Sequence, residues 1–184
     1  MQEKKAKFSV SDLTQIAMSA VVITVCSWIS IPASIPFTLQ TFAICLITAV
    51  FGLRKGTWSV LIYILLGLVG VPVFSGFRGG LGVLLGNTGG YIIGFIFTAL
   101  IVGWFSERWH ANKAVLAAAM VLGIAVCYAF GTAWFVIVYT KNSGAIGVMT
   151  ALAWGMFPYL IPDAVKIAAA VLLTERLRKL LRKE

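Results

Sequence analysis

The chain has 184 residues, of which 60% are apolar and 11% charged, with a mean hydropathy of +0.98. Soluble domains hold about 45–50% apolar residues, so a soluble globular protein is excluded. At about 20 residues per bilayer crossing, the length allows six short-looped spans and leaves no room for a second domain. The net charge of +9 sits in short basic clusters between apolar runs, a pattern that sets membrane orientation. No nucleic-acid partner is expected.

The polar, basic residues 1–7 lead into an apolar run that continues past the length of a signal-peptide core without a small-residue cleavage site. The run therefore reads as a retained transmembrane helix. Apolar periods broken by turn or charge signals predict helices near 13–31, 37–53, 57–71, 90–106, 114–139 and 150–174, followed by a basic tail over 175–184. The predicted fold is an all-α, six-helix membrane bundle, one domain over 1–184. An even number of crossings puts both termini on one side. Lys4, Lys5, Lys7, Arg54, Lys55, Arg108, Lys113, Arg176, Arg178, Lys179, Arg182 and Lys183 then share that side, 12 of the 15 basic residues, which makes it the cytoplasm.

In the first helix Ala17, Ala20 and Thr24 stand at i, i+3 and i+7, a small-residue stripe for close approach of another helix, in a partner or in the same bundle. The connection after the third helix, 70–91, is dense in glycine yet apolar, unlike a solvated linker, and is expected to fold back over the bundle on the outer side. Within it Asn87 can donate and accept hydrogen bonds, while Phe74 and Tyr91 can enclose a small apolar body. The same glycines equally suit tight helix packing.

A P-loop is excluded, since no Gly-Lys dipeptide occurs, so energy from ATP must come from a partner. Cys26, Cys45 and Cys127 lie inside apolar runs without metal-ligand spacing and read as small core residues. His110, between Arg108 and Lys113, reads as a solvated loop residue. No metal site or cofactor is expected.

The sixth span reads Trp154-Gly155-Met156-Phe157-Pro158-Tyr159-Leu160-Ile161-Pro162-Asp163-Ala164-Val165-Lys166. Two prolines four residues apart disturb a regular helix, and Pro162 suits the first turn of a restarted one. Asp163 and Lys166, three apart, share a face. Ionisable groups at this depth are functional unless they form a structural ion pair, and the coincidence of the pair with a broken helix favours function. The tail 175–183 places leucines on one face and cations around the other, which suits an interfacial anchor.

Three stretches, Ile35-Pro36-Phe37-Thr38-Leu39-Gln40-Thr41-Phe42, Gly70-Val71-Pro72-Val73-Phe74 and Gly86-Asn87-Thr88-Gly89-Gly90-Tyr91-Ile92-Ile93-Gly94-Phe95, resemble the ordered signatures of the BioY family of biotin transporters. The resemblance spans nearly the whole chain and includes the Asp163/Lys166 pair. It implies the biotin-specific S component of an energy-coupling factor (ECF) transporter in the bacterial cell membrane. Its partners would be a transmembrane coupling subunit and two ATPase subunits, and it would not itself be an enzyme. It further implies that Asp163 accepts from ureido N–H groups and that Lys166 donates to the ureido carbonyl or the carboxylate. Phe74 and Tyr91 would cover the apolar body, Asn87 and the amides of Gly89 and Gly90 would supply donors, and Arg78 would attract the carboxylate. Ala17, Ala20 and Thr24 would be the coupling-subunit contact. An S component for another vitamin is the nearest alternative. A membrane-embedded enzyme with Asp163 as base lacks a visible nucleophile or metal partner.

Overall fold

A computed structural model describes residues 8–32, 35–109 and 112–181. His110, Lys4, Lys5, Lys7, Arg182 and Lys183 lie outside them. The first helix, α1 (Val10–Trp28), begins at a capping box: Ser9 Oγ accepts from the Asp12 amide at 3.1 Å and the Asp12 carboxylate accepts from the Ser9 amide at 3.0 Å. Its end passes into a two-residue antiparallel ladder, β1 (Ser30–Ile31) against β2 (Phe37–Thr38), which returns the chain into α2 (Gln40–Leu68).

α2 is two limbs rather than one rod. Gly52 adopts φ +78° and ψ −173°, which glycine tolerates and residues with a Cβ avoid. The limbs fold back on each other there, because Gln40 Nε2 donates to Tyr63 OH at 2.5 Å although 23 residues of straight helix would span about 35 Å. The predicted 37–53 and 57–71 helices are these limbs. Arg54 and Lys55, expected in a loop, lie in the second limb, since the reversal is completed at Gly52 and the Leu53 amide is capped by Glu107 Oε1 at 2.7 Å.

Beyond α2 come α3 (Leu81–Leu85), α4 (Gly89–Arg108) and α5 (Lys113–Ser143). The expected sixth helix is divided where the prolines stand, into α6 (Val148–Gly155), a 3-10 turn (Phe157–Tyr159) and α7 (Leu160–Leu181), with Pro162 in the first turn of α7. The tail over 175–181 is the last two turns of α7 rather than a separate anchor. Among the described residues, five stretches are long and apolar enough to cross a membrane: α1, α2, α4, α5 and Val148–Leu180. Large apolar side chains such as Val21, Ile137, Ile161 and Leu172 face outward all along them, as a lipid-facing surface requires.

The helix ends sort to two ends of the bundle. At one, Asp12 of α1 pairs with Lys55 of α2 at 3.3 Å, Lys113 of α5 pairs with Glu175 of α7 at 2.8 Å, and Arg178 of α7 donates to Ala49 O of α2 at 2.5 Å. The opposite end carries the β-ladder, the 69–80 connection, α3 and α6.

The 69–80 connection is a plug more than an open loop. The amides of Gly70 and Gly80 both donate to Gly67 O, at 3.2 and 2.6 Å, which pinches its neck. Phe74 and Arg78 pair across a tight turn, and Val73 and Phe74 are buried in the core. Ser27 Oγ donates to Val73 O, Trp28 Nε1 donates to Pro72 O at 2.9 Å, and the Trp28 ring stacks on Phe77 at 4.9 Å.

Phe74 fits because Gly67 has no side chain: a Cβ there would overlap its ring. Helix propensity alone would make Gly67→Ala stabilising by about 1 kcal/mol. The overlap should reverse that sign and cost about 1–3 kcal/mol. Thermal unfolding in detergent should show a lowered midpoint, and an unchanged or raised one would mean that Phe74 yields freely.

Candidate ligand-binding site around Asp163 and Lys166

Asp163 lies in the first turn of α7, where a carboxylate meets the positive end of the helix dipole, and Lys166 follows one turn later on the same face. Both are buried, at 3% and 8% exposure, a costly placement unless every charge finds a partner. Lys166 Nζ donates to Asp163 Oδ1 at 2.9 Å and to Thr41 Oγ1 at 3.2 Å. Thr41 Oγ1 in turn lies 3.4 Å from Asp163 Oδ1, and Tyr128 OH donates to Asp163 Oδ2 at 2.5 Å. The ammonium also sits 4.1 Å from the centre of the Phe37 ring, a cation–π contact. Four elements thus converge on one ion pair: β2, the first limb of α2, α5 and α7.

Aromatic rings wall the pair. Tyr159 stacks on Phe37 at 5.9 Å and donates to Ile35 O. Tyr91 of α4 meets Tyr128 edge-on at 6.2 Å and shares a 3.1 Å hydrogen bond with Thr132 of α5. Tyr91 is seated between two glycines, for a Cβ at Gly131 would overlap its ring and one at Gly155 would stand 2.6 Å from its hydroxyl oxygen. A polar centre with an acceptor and a donor side by side, lined by aromatic faces, can recognise a small ligand that presents N–H and C=O groups together on an apolar body.

The other residues singled out from sequence are placed as follows. Phe74 is buried and meets Tyr63 edge-on at 5.5 Å, and Tyr63 reaches Gln40, the neighbour of Thr41, so Phe74 stands behind the site and not at the ion pair. Asn87 is partly exposed at the turn between α3 and α4. A Cβ at Gly89 would overlap Leu84 O and one at Gly90 would overlap Trp134, so both glycines serve close packing. The Gly89 amide already donates to Gly86 O at 3.1 Å. Arg78 is exposed and its Nε donates to Ser75 O at 3.1 Å. Ala20 and Thr24 are buried, with Thr24 Oγ1 bonded to Ala20 O at 2.9 Å, while Ala17 is exposed. The three do not form one outward stripe. Cys45 and Cys127 are buried and Cys26 half-buried, all as free thiols.

Tyr128, Thr41, Phe37, Tyr159 and Thr132 were not anticipated as site residues. Tyr128 carried a usable signal, since it and Thr132 one turn on are the hydroxyls in the middle of the long apolar α5. Thr41 and Phe37 lie within the first motif, whose local pattern says nothing of contacts more than a hundred residues away.

A helical, multi-pass bundle with a shielded polar centre is the architecture of a membrane protein that takes up a small solute. The chain matches the BioY family over residues 1–183 and belongs to it. It is 40% identical over 159 residues to the biotin transporter BioY of Thermotoga maritima, covering 86% of this chain and 90% of that one. It is 37% identical to the probable biotin transporter BioY of Pyrococcus horikoshii, covering 78% and 81%. Its fold superposes on the crystal structure of the S-component for biotin from an ECF-type ABC transporter with a TM-score of 0.83 and 27% identity, over 95% of each chain.

Proposed function

We infer that this chain captures biotin at the outer face of a cell membrane and delivers it inward as the S component of an ECF-type transporter, without enzymatic activity of its own. The observation that carries this reading is the buried Asp163–Lys166 pair, whose acceptor and donor stand together inside an aromatic wall in a chain of the BioY family. The ureido ring of biotin offers two N–H donors and a carbonyl on one rigid edge. Asp163 accepts from the N–H groups, and Lys166 donates to the carbonyl or to the carboxylate at the other end of the ligand. Tyr91 and Tyr128 flank the apolar body. Gly89, Gly90 and Asn87 shape the rim by letting α3 close on α4, and Phe74 sets the wall through Tyr63. Arg78 attracts the anionic ligand from outside.

Topologically, α1, the two limbs of α2, α4, α5 and the α6–α7 stretch make six crossings. The end rich in Arg54, Lys55, Arg108, Lys113, Arg176 and Lys179 is cytoplasmic, with both termini there. The first limb of α2 has 12 residues before Gly52, about 18 Å of helix against about 30 Å of hydrocarbon. Its start at Gln40 and Thr41 therefore lies below the outer surface, and the β-ladder and the 69–80 plug cover the depression above it. Retention of labelled biotin by the purified chain without ATP tests the reading, and indifference to biotin alongside tight binding of another vitamin would favour a different S component.

ATP is hydrolysed by partner ATPase subunits, and the resulting conformational change reaches this chain through a coupling subunit. An apolar groove of about 660 Å³ at the basic end suits that subunit, running between Ser11, Gln15 and Met18 of α1, Val50 of α2, and Leu177 and Leu180 of α7. Ala17 is exposed on the same helix, away from the groove and at the edge of the face that packs on α2, whereas a bulky residue at buried Ala20 would first break the packing of α1 on α2. Ala17→Trp should therefore spare biotin binding by the isolated chain and block co-purification with the coupling and ATPase subunits. Intact co-purification would place that face of α1 against lipid.

A further inference from the structure

Arg178 lies about four turns from the ion pair on the same helix and serves no part of the ligand site. Its guanidinium donates to Ala49 O at 2.5 Å, to Ser106 Oγ and, at 3.5 Å, to Ser106 O. Ser106 Oγ donates in turn to Ala49 O at 2.7 Å. Ala49 and Ser106 each stand in the last turn of a helical segment, the first limb of α2 and α4, where carbonyls lack intrahelical partners and the dipole is negative. One cation thus ties α7 to two converging helix ends.

The need for such a tie follows from how α7 is held. Apolar contacts do not fix a helix strongly against its neighbours in lipid, so polar contacts set its register. Thr174, though buried, bonds its own helix at Ala170 O. The Lys113–Glu175 pair is exposed, 60% and 32% at the side chains, and such surface pairs contribute little. Among the described residues two inner polar anchors of α7 remain, the Asp163–Lys166–Thr41 cluster and Arg178. The proposed function requires a ligand to draw Lys166 and Asp163 away from each other and from Thr41, which loosens the outer anchor at the moment of binding.

We propose that Arg178 is a positioning residue that holds the register of α7 against α2 and α4, and through it the placement of Asp163 and Lys166 on the bound ligand. The proposal rests on the biotin reading for its ligand but not for its geometry. Displacements of an ångström or less in a supporting shell are enough to spoil a polar site.

The test compares the wild-type chain with Arg178→Met, which keeps the apolar stem, Arg178→Lys, which keeps the charge, and Ser106→Ala, each in lipid nanodiscs. Arg178→Met should speed dissociation of labelled biotin and raise its Kd about tenfold. Without biotin it should accelerate amide exchange over 160–170 about tenfold while leaving 92–104 in α4 unchanged. Arg178→Lys should recover most of both. Kd within twofold of wild type with unchanged exchange in α7, or exchange accelerated equally in all helices, would overturn the proposal and leave Arg178 a general stabiliser. If Arg178→Met yields no monodisperse protein, Ser106→Ala decides by the same two readouts, a local loss upholding the role and wild-type behaviour rejecting it. A wild-type chain that retains no biotin while α7 exchange still responds to Arg178→Met would overturn the biotin reading and uphold the register role.

Discussion

Asp163→Asn should weaken biotin binding about 10- to 150-fold, the loss of a charged acceptor worth about 1.5–3 kcal/mol, with a smaller loss of stability than removal of Lys166 causes. The carboxylate accepts on both oxygens, Oδ1 from Lys166 and Thr41 and Oδ2 from Tyr128. An asparagine of the same shape keeps its oxygen toward Lys166, which can only donate, and turns its amide toward Tyr128, whose hydroxyl can reverse and accept. Lys166 retains Thr41 and the face of Phe37. The fold is therefore served by the amide, whereas a ligand with paired N–H donors meets a donor where it needs an acceptor. Titration of labelled biotin, with thermal unfolding measured alongside, checks both halves, and unchanged affinity would remove Asp163 from the site.

Lys166→Met should do more damage to the empty protein. Methionine fills the space of the lysine stem but leaves a carboxylate at 3% exposure without its cation, and breaking a buried pair from one side costs about 3–5 kcal/mol. Both the unfolding midpoint and biotin affinity should fall. The double change Asp163→Asn with Lys166→Met removes the stranded charge, so it should regain most of the stability and none of the binding. A folded Lys166→Met protein that binds biotin like wild type would make the pair a purely structural lock.

Local features carried much of this into the sequence. Helices of bilayer length show as apolar runs, and the i, i+3 spacing of Asp163 and Lys166 with Pro162 just before them fixes a shared face on a restarted helix. What stayed hidden depends on single dihedrals or distant contacts. The reversal at Gly52 needs one residue at positive φ, so the charges of Arg54 and Lys55 that suggested a loop sit on a helix instead. The seating of Phe74 against Gly67 and Tyr63 turns an expected cover into a plug. Ala17, Ala20 and Thr24 share one side of α1, but Ala17, about 60° from Ala20 and about 20° beyond Thr24, falls just past the edge of the buried face, so the three differ in exposure. Tyr128 reaches Asp163 across 35 residues and Thr41 across 122, separations that no spacing rule reads.

The most direct test is a solved structure of the chain with biotin bound. The ureido ring should lie within hydrogen-bond distance of Asp163, with Lys166 Nζ turned from Asp163 Oδ1 onto an oxygen of the ligand and the rings of Tyr91 and Tyr128 beside the thiophane. Biotin seated elsewhere, with Lys166 still on Asp163 and Thr41, would contradict the assignment of this pair as the recognition centre.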